Sequence, residues 1–159
     1  RELAGGAMLD IGVYALSFIR FFMDSKPDRL LSQVRPAPTG VDEQAGLLLM
    51  NGEGQMATVM LSLHSKQPKR GMISCEKGYI EVMEYPRAWE ATVTYTDTGK
   101  TETVRAGENS DALAYELRDM ERAINGCADC MYLPYTRDVM DMMTEFRKSW
   151  GFTYPEEER

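Results

Sequence analysis

Ala4-Gly5-Gly6-Ala7-Met8-Leu9-Asp10-Ile11-Gly12-Val13-Tyr14 sets a turn of small residues directly before an apolar helix that carries one carboxylate and one phenol. Asp10 and Tyr14 lie four residues apart, so on a helix they project from one face. Gly5 and Gly6 let backbone approach a bound molecule where a side chain would collide, and Gly12 removes a side chain between the two polar groups. The stretch reads as one wall of an active site. The residue types alone also allow a structural role. An aspartate near a helix start accepts an orphan backbone N–H at the positive end of the dipole. A tyrosine can bury its ring and leave its hydroxyl at a wet edge.

Working outward, the helix stops near Asp24-Ser25-Lys26-Pro27. An extended stretch over 30–35 and a loop over 36–40 follow. Then 41–50 and 55–63 flank Asn51-Gly52-Glu53-Gly54 as a hairpin. After a polar bend at 66–69, segment 72–75 pairs with 79–82 across Glu76-Lys77-Gly78, and 91–95 pairs with 101–104. These short, β-branched or aromatic-rich runs predict an antiparallel meander. Two helices close the chain. One carries the stripe Leu113, Leu117, Met120 and Ile124, with Ser110 as N-cap and Gly126 as stop; the other carries Val139, Met142, Met143, Phe146 and Trp150. Residues 155–159 read as a charged tail.

Helix, strands, helices in that order predict an α+β fold, a mainly antiparallel open sheet with helices packed on one face. Leu47 and Leu49 oppose Leu48 and Met50, and Ala57, Val59, Leu61 and Leu63 oppose Met56, Thr58, Met60 and Ser62. Strands apolar on both sides are expected to be covered on both sides, here by a subunit partner. The alternative is a second face that tolerates water.

A chain of 159 residues with 43% hydrophobic content fits one domain with a sizeable core. Its net charge of -7 argues against a nucleic-acid surface and leaves a small molecule or a protein as partner. The apolar run from Met8 to Met23 is broken by Asp10, Ser17 and Arg20 and falls short of the roughly 20 residues a bilayer needs. It predicts a buried helix and no membrane association. Three cysteines, an odd count without a spaced framework, fit a reducing cytoplasm.

Three motifs are set aside. Gly52-Glu53-Gly54-Gln55-Met56-Ala57 spells a variant dinucleotide fingerprint, but a strand-like run follows where a helix is required. Cys127-Ala128-Asp129-Cys130 follows a helix rather than a strand, so it reads as a loop with two incidental thiols rather than a redox or metal motif. His64, the single histidine, ends a strand before a polar bend and reads as half-exposed. No metal site is expected.

The opening motif, Gly-Gly-small-apolar-apolar-Asp-x-Gly-x-Tyr, resembles the signature that opens the second domain of the glucose-fructose oxidoreductase, inositol dehydrogenase and MocA (Gfo/Idh/MocA) family. Ile73-Ser74-Cys75-Glu76-Lys77-Gly78-Tyr79-Ile80-Glu81-Val82 resembles its central hairpin, and Arg147-Lys148-Ser149-Trp150-Gly151-Phe152-Thr153-Tyr154-Pro155 its C-terminal helix and tail. Ala4 stands where the family usually has a third glycine. Tyr14 stands where many members have histidine, which points toward the dihydrodiol and xylose dehydrogenase-like members, in which this position resembles a catalytic tyrosine.

The resemblance implies a dihydrodipicolinate-reductase-like C-terminal domain whose open sheet serves oligomerisation. On it, residues 1–159 are expected to be the single substrate-binding and oligomerisation domain of a longer two-domain enzyme, without the Rossmann domain that precedes it in the family. The implied activity is NAD(P)-dependent oxidation or reduction of a sugar, polyol or diol, with NAD or NADP held mainly by that other domain and the isolated chain inactive. Oxidising an alcohol requires a base for the hydroxyl proton. A phenol in water, with a reference pKa of about 10, is a poor one. A nearby cation favours the phenolate, and in the family a Rossmann-domain lysine can supply it. Tyr14 and Asp10 are the candidate catalytic residues, Asp10 orienting the lysine or a substrate hydroxyl; Gly5, Gly6 and Gly12 are the candidate cofactor-facing residues. The competing reading is a binding or dimerisation module without chemistry of its own.

Overall fold

The computed structural model describes residues 5–127 and 129–153. Ala4, Ala128 and the tail from Tyr154 onward lie outside them. The chain divides into two compact units, Arg1–Gln67 with Pro134–Arg159, and Pro68–Leu133.

The first unit opens with a π-helical turn, Met8–Gly12, that continues into α1, Val13–Phe22. Met23 leaves the helix with extended backbone. Strands β1 (Arg29–Pro36), β2 (Asp42–Met50) and β3 (Met56–Ser62) form an antiparallel sheet in sequence order. In register, Leu30, Leu49 and Ala57 share one face with Ser32, Leu47 and Val59, and with Val34, Ala45 and Leu61. Ala45, Leu47, Leu49 and Leu61 on that face are buried. The last helix of the chain, Leu133–Ser149, returns to this unit with Val139, Met142, Met143 and Phe146 buried. Just beyond it, Trp150 Nε1 donates to Ser32 Oγ at 2.8 Å, which places that end of the helix over the buried sheet face. The stripe expected to pack therefore does so.

The opposite face carries Leu31, Gln33, Leu48, Thr58 and Met60 around a shallow groove. Leu31 and Met60 are each 66% exposed, so nothing among the described residues covers this side.

The second unit holds β4 (Arg70–Cys75), β5 (Gly78–Met83), β6 (Glu90–Tyr95) and β7 (Thr101–Arg105), again antiparallel and in sequence order. The α+β class and the pairings of the meander hold, but the strands sort into a three-stranded and a four-stranded sheet. The intervening stretch 64–69 ends one sheet rather than bending it. Helix α2, Ala112–Ile124, follows a 3₁₀ turn at Asn109–Asp111, so Asp111 rather than Ser110 occupies the N-cap position. Its end is as expected: Gly126, at φ +99, donates to the Ala123 carbonyl and Cys127 donates to that of Arg122, a Schellman closure. Its apolar stripe is not packed. Leu113, Leu117, Met120 and Ile124 are all exposed.

The helix Leu133–Ser149 is α3. In the loop before it Cys127 and Cys130 form a disulfide, which corrects the reading of two incidental thiols. A two-residue spacing brings the Cα atoms to 5.8 Å, inside the range a disulfide spans. Cys75 is free. Among the described residues no helix is long and apolar enough to cross a membrane.

Candidate active site

The π turn and α1 form one continuous rod, held at its start by the first residue of β2 and at its end by the β2–β3 turn. At the start, Ala7 in the N-cap position offers no side-chain cap. The missing acceptor comes from 34 residues away: Asp42, the first residue of β2 and 2% exposed, accepts the Met8 N–H on Oδ2 at 2.5 Å. A bond between a backbone donor and a charged acceptor contributes about 1.5–3 kcal/mol. At the far end, Gln55 Oε1 accepts the Asp24 N–H at 2.9 Å and Gln55 Nε2 donates to the Asp24 carboxylate at 3.0 Å. Ser25 Oγ donates to Glu53. Gln55 is fixed in turn by buried Asn51, whose amide bridges the turn in both directions. Asp42 opens β2 and Asn51 directly follows its last residue, so the bonds at the two ends of the rod are tied to the two ends of one strand.

On its third side the rod meets α3. Arg20, 8% exposed, places Nε 2.7 Å from Asp138 Oδ2, donates from Nη1 to the Met23 carbonyl and stacks 4.1 Å over the Tyr135 ring. Lys26 and Asp141 add an exposed pair at 2.9 Å.

Asp10 and Tyr14 project from this rod into solvent; Tyr14 is half exposed. Asp10 lies in the π turn and Tyr14 in the first α turn. A four-residue step is close to a full turn in either geometry, so the two share a side. π turns inside helices are frequent at functional sites. A carboxylate and a phenol presented together on a braced helix can accept and donate hydrogen bonds to a polyhydroxyl ligand and pass a proton.

The glycines divide by what surrounds them. Gly5, at φ +118, has open space where a Cβ would stand. Gly6, at φ +105, has no such space: a Cβ there would collide with the Asp42 carboxylate. At Gly12 a Cβ would lie 2.8 Å from Met8 Sδ and 3.1 Å from Leu61 Cδ1. Gly6 and Gly12 thus have a packing reason inside the protein, and Gly5 is the one whose open side could admit a ligand. Asp42 was not among the residues singled out from sequence. The strand opens Asp42-Glu43-Gln44, a polar start that does not by itself single out one carboxylate.

Of the set-aside motifs, Gly52–Ala57 serves the brace through Glu53 and Gln55 rather than a nucleotide turn. Gly52-Glu53-Gly54 forms the β2–β3 turn, Gly54 donating to the Asn51 carbonyl, with strand β3 following. His64 is exposed, 3.5 Å from Glu43. Among the described residues no group of three His, Cys, Asp or Glu could hold a metal ion.

The chain is similar to the trans-1,2-dihydrobenzene-1,2-diol dehydrogenase of Oryctolagus cuniculus, 26% identical over 166 residues that cover 97% of this chain and 50% of the relative. The Homo sapiens protein of the same name is 25% identical, with 100% and 50% covered. The chain thus spans about half the length of the relatives it matches. A UDP-N-acetylglucosamine 3-dehydrogenase from Acidithiobacillus ferrooxidans superposes with a TM-score of 0.71 at 20% identity, covering 87% of this chain and 45% of that one. A 3-ketoreductase mutant from Actinomadura kijaniata, solved with TDP-benzene and NADP, gives 0.74 at 16% identity, with 90% and 47% covered. These likenesses establish the fold. The profile of the GFO/IDH/MocA C-terminal domain matches residues 1–81, just over half of the chain, and the chain belongs to that family.

Proposed function

We propose that the chain is the substrate-binding and oligomerisation part of a longer NAD(P)-dependent oxidoreductase acting on a sugar, polyol or diol. The observation that carries the reading is the pair Asp10 and Tyr14, presented to solvent on a helix braced at both ends, in a chain of this family. The dihydrodiol dehydrogenase relatives and the NADP-bound ketoreductase neighbour support it.

In alcohol oxidation the hydroxyl proton leaves to Tyr14 Oη, and in reduction Tyr14 returns it. The phenol needs a cation beside it to serve as base, supplied in this reading by a lysine of the other domain. Asp10 holds that cation or a substrate hydroxyl in place. NAD or NADP, when bound, supplies the hydride acceptor or donor. The fit to this chain is one-sided. Gly5 leaves room for a ring to approach beside the helix, Gly6 and Gly12 keep the turn and helix compact behind it, and the described residues offer no phosphate cradle. A cytoplasmic setting, where nicotinamide cofactors are plentiful, belongs to the same reading through the cofactor alone, since the Cys127–Cys130 disulfide removes the support the cysteines gave it.

The complete enzyme should change nicotinamide absorbance with at least one member of a panel of trans-diols, polyols and aldoses. The 159-residue chain alone should show no heat of binding with either cofactor in calorimetry. Silence of the complete enzyme across the panel would sink the oxidoreductase reading, and micromolar cofactor affinity of the isolated chain would sink the division of labour.

The open face of β1–β3 supports assembly as a second role. Leu31, Met56 and Met60 are all more than half exposed on this one face, an apolar surface of the kind that marks an interface. We expect light scattering after gel filtration to give a dimer or larger species at high micromolar concentration. Met60→Lys should shift it toward monomer, because an ammonium buried without a partner is costly. A monomer in both proteins means that this face is simply wet.

A further inference from the structure

We infer that Asp42 is the positioning residue for Asp10 and Tyr14; the inference rests on the active-site reading of that pair. Asp42 is almost completely buried, and its Oδ2 takes the Met8 N–H at 2.5 Å. That N–H is one of the orphan donors of a helix start, and no side chain of the turn itself takes it. A carboxylate suits the place because the helix start carries partial positive charge. The turn and the carboxylate are shaped around each other: Gly6 runs at φ +105, and the space its Cβ would need is filled by Oδ1 of Asp42. Asp10 follows Met8 by two residues, and its own N–H bonds the Gly6 carbonyl at 3.1 Å. Gly6, Met8 and Asp10 therefore move as one piece with Asp42, and Tyr14 follows because Met8–Phe22 is continuous helix.

The far end of the helix is fixed separately through Asn51 and Gln55. Loss of the Asp42 bond would thus let the leading end swing while the trailing end stays. The displacement would be largest at Asp10 and smaller at Tyr14. A shift of about 1 Å in a positioned group costs on the order of 10²-fold in rate, whereas a purely structural capping role would lower the melting temperature and leave kcat intact below it.

The test uses the complete enzyme and three variants. Asp42→Leu keeps the approximate size and removes both acceptor oxygens; Asp42→Asn keeps one acceptor. Asp42→Ser removes the carboxylate but leaves a small polar group, and it carries the test if the leucine variant does not accumulate folded. Assayed well below its melting temperature, Asp42→Leu should lose about 10²-fold in kcat with KM changed far less. Asp42→Ser should lose at least about tenfold, and Asp42→Asn should recover to within about tenfold of the parent. Amide exchange in the 159-residue chain should accelerate at Met8 and Asp10 and remain unchanged in β2 and β3. A folded leucine or serine variant with kcat within about threefold of the parent overturns the inference. Tyr14→Phe run beside them separates the two failures. If it is slow while the Asp42 variants are not, only the positioning role falls; if it too is unaffected, the active-site reading falls and this inference with it.

Discussion

Tyr14→Phe in the complete enzyme should lower kcat by about 10²- to 10⁴-fold with little change in substrate KM. The substitution removes one oxygen and keeps the ring. Tyr14 is half exposed on a helix whose burial rests on Met8, Ala15 and Leu16, so the fold loses nothing that the phenol supplied. A group that passes a proton in the transition state contributes to kcat and kcat/KM together, whereas a group that only binds moves KM. Asp10→Asn should be milder, since an amide still offers an oxygen to a substrate hydroxyl while losing its attraction for a cation. Steady-state kinetics with the best diol or sugar, accompanied by thermal melts, checks both. A Tyr14→Phe enzyme within about threefold of the parent would return Tyr14 to a structural role and leave family membership untouched.

Phe146→Ala should destabilise the first unit by about 3–5 kcal/mol. Phe146 is 2% exposed and among the largest fully buried side chains. Its ring stacks on Trp150 with centroids 6.1 Å apart, and Trp150 in turn holds β1 through Ser32. The cavity therefore opens between helix and sheet and loosens the tryptophan's hold on the strand. At about 4–8 °C per kcal/mol for a unit of this size, the melting temperature should fall by about 12 °C or more. Met140→Ala, on the exposed side of the same helix, should stay within about 0.5 kcal/mol. Near-ultraviolet circular dichroism, dominated by packed tryptophan, follows both. A drop of only a few degrees for Phe146→Ala would show that α3 contributes little to the core.

The features that sequence made legible are those encoded locally. Asn51-Gly52-Glu53-Gly54 and Gly126 mark a turn and a helix stop through backbone conformations that few other residues adopt. The run 47–50, apolar on both sides, marked a strand with two faces to cover, of which the one with Ala45, Leu47 and Leu49 is buried. Assignment of strands to sheets is different, because pairing rules connect neighbours and say nothing of where a sheet ends; the polar stretch before Lys69 looks alike as a bend or as a boundary. The stripe Leu113, Leu117, Met120 and Ile124 shows the same limit. Periodicity tells which side of α2 is apolar, not what lies against it. At the site, the spacing of Asp10 and Tyr14 was readable because it is helical, and the π turn beneath it was not, since four residues make roughly a turn in both geometries. Asp42 escaped notice because its partner is 34 residues distant, and no local rule links an aspartate that opens a strand to an amide at the start of a helix.

The brace between Met8–Asp24 and Asp42–Gln55 sets the smallest piece that could be transplanted into a relative. A chimera that exchanges only Gly5–Phe22 carries the lettering of the site and leaves behind Asp42, Asn51 and Gln55, which fix its ends. A graft that keeps its aim must run on through Ser62, so that helix and strand arrive already fitted to each other, with its downstream cut in the polar stretch before Lys69. The recipient must also present a carboxylate where Asp138 receives Arg20. If Asp10 and Tyr14 act as proposed, the unit of exchange is the helix-and-sheet cassette, and a designer who swaps the helix alone should expect folded, misdirected protein.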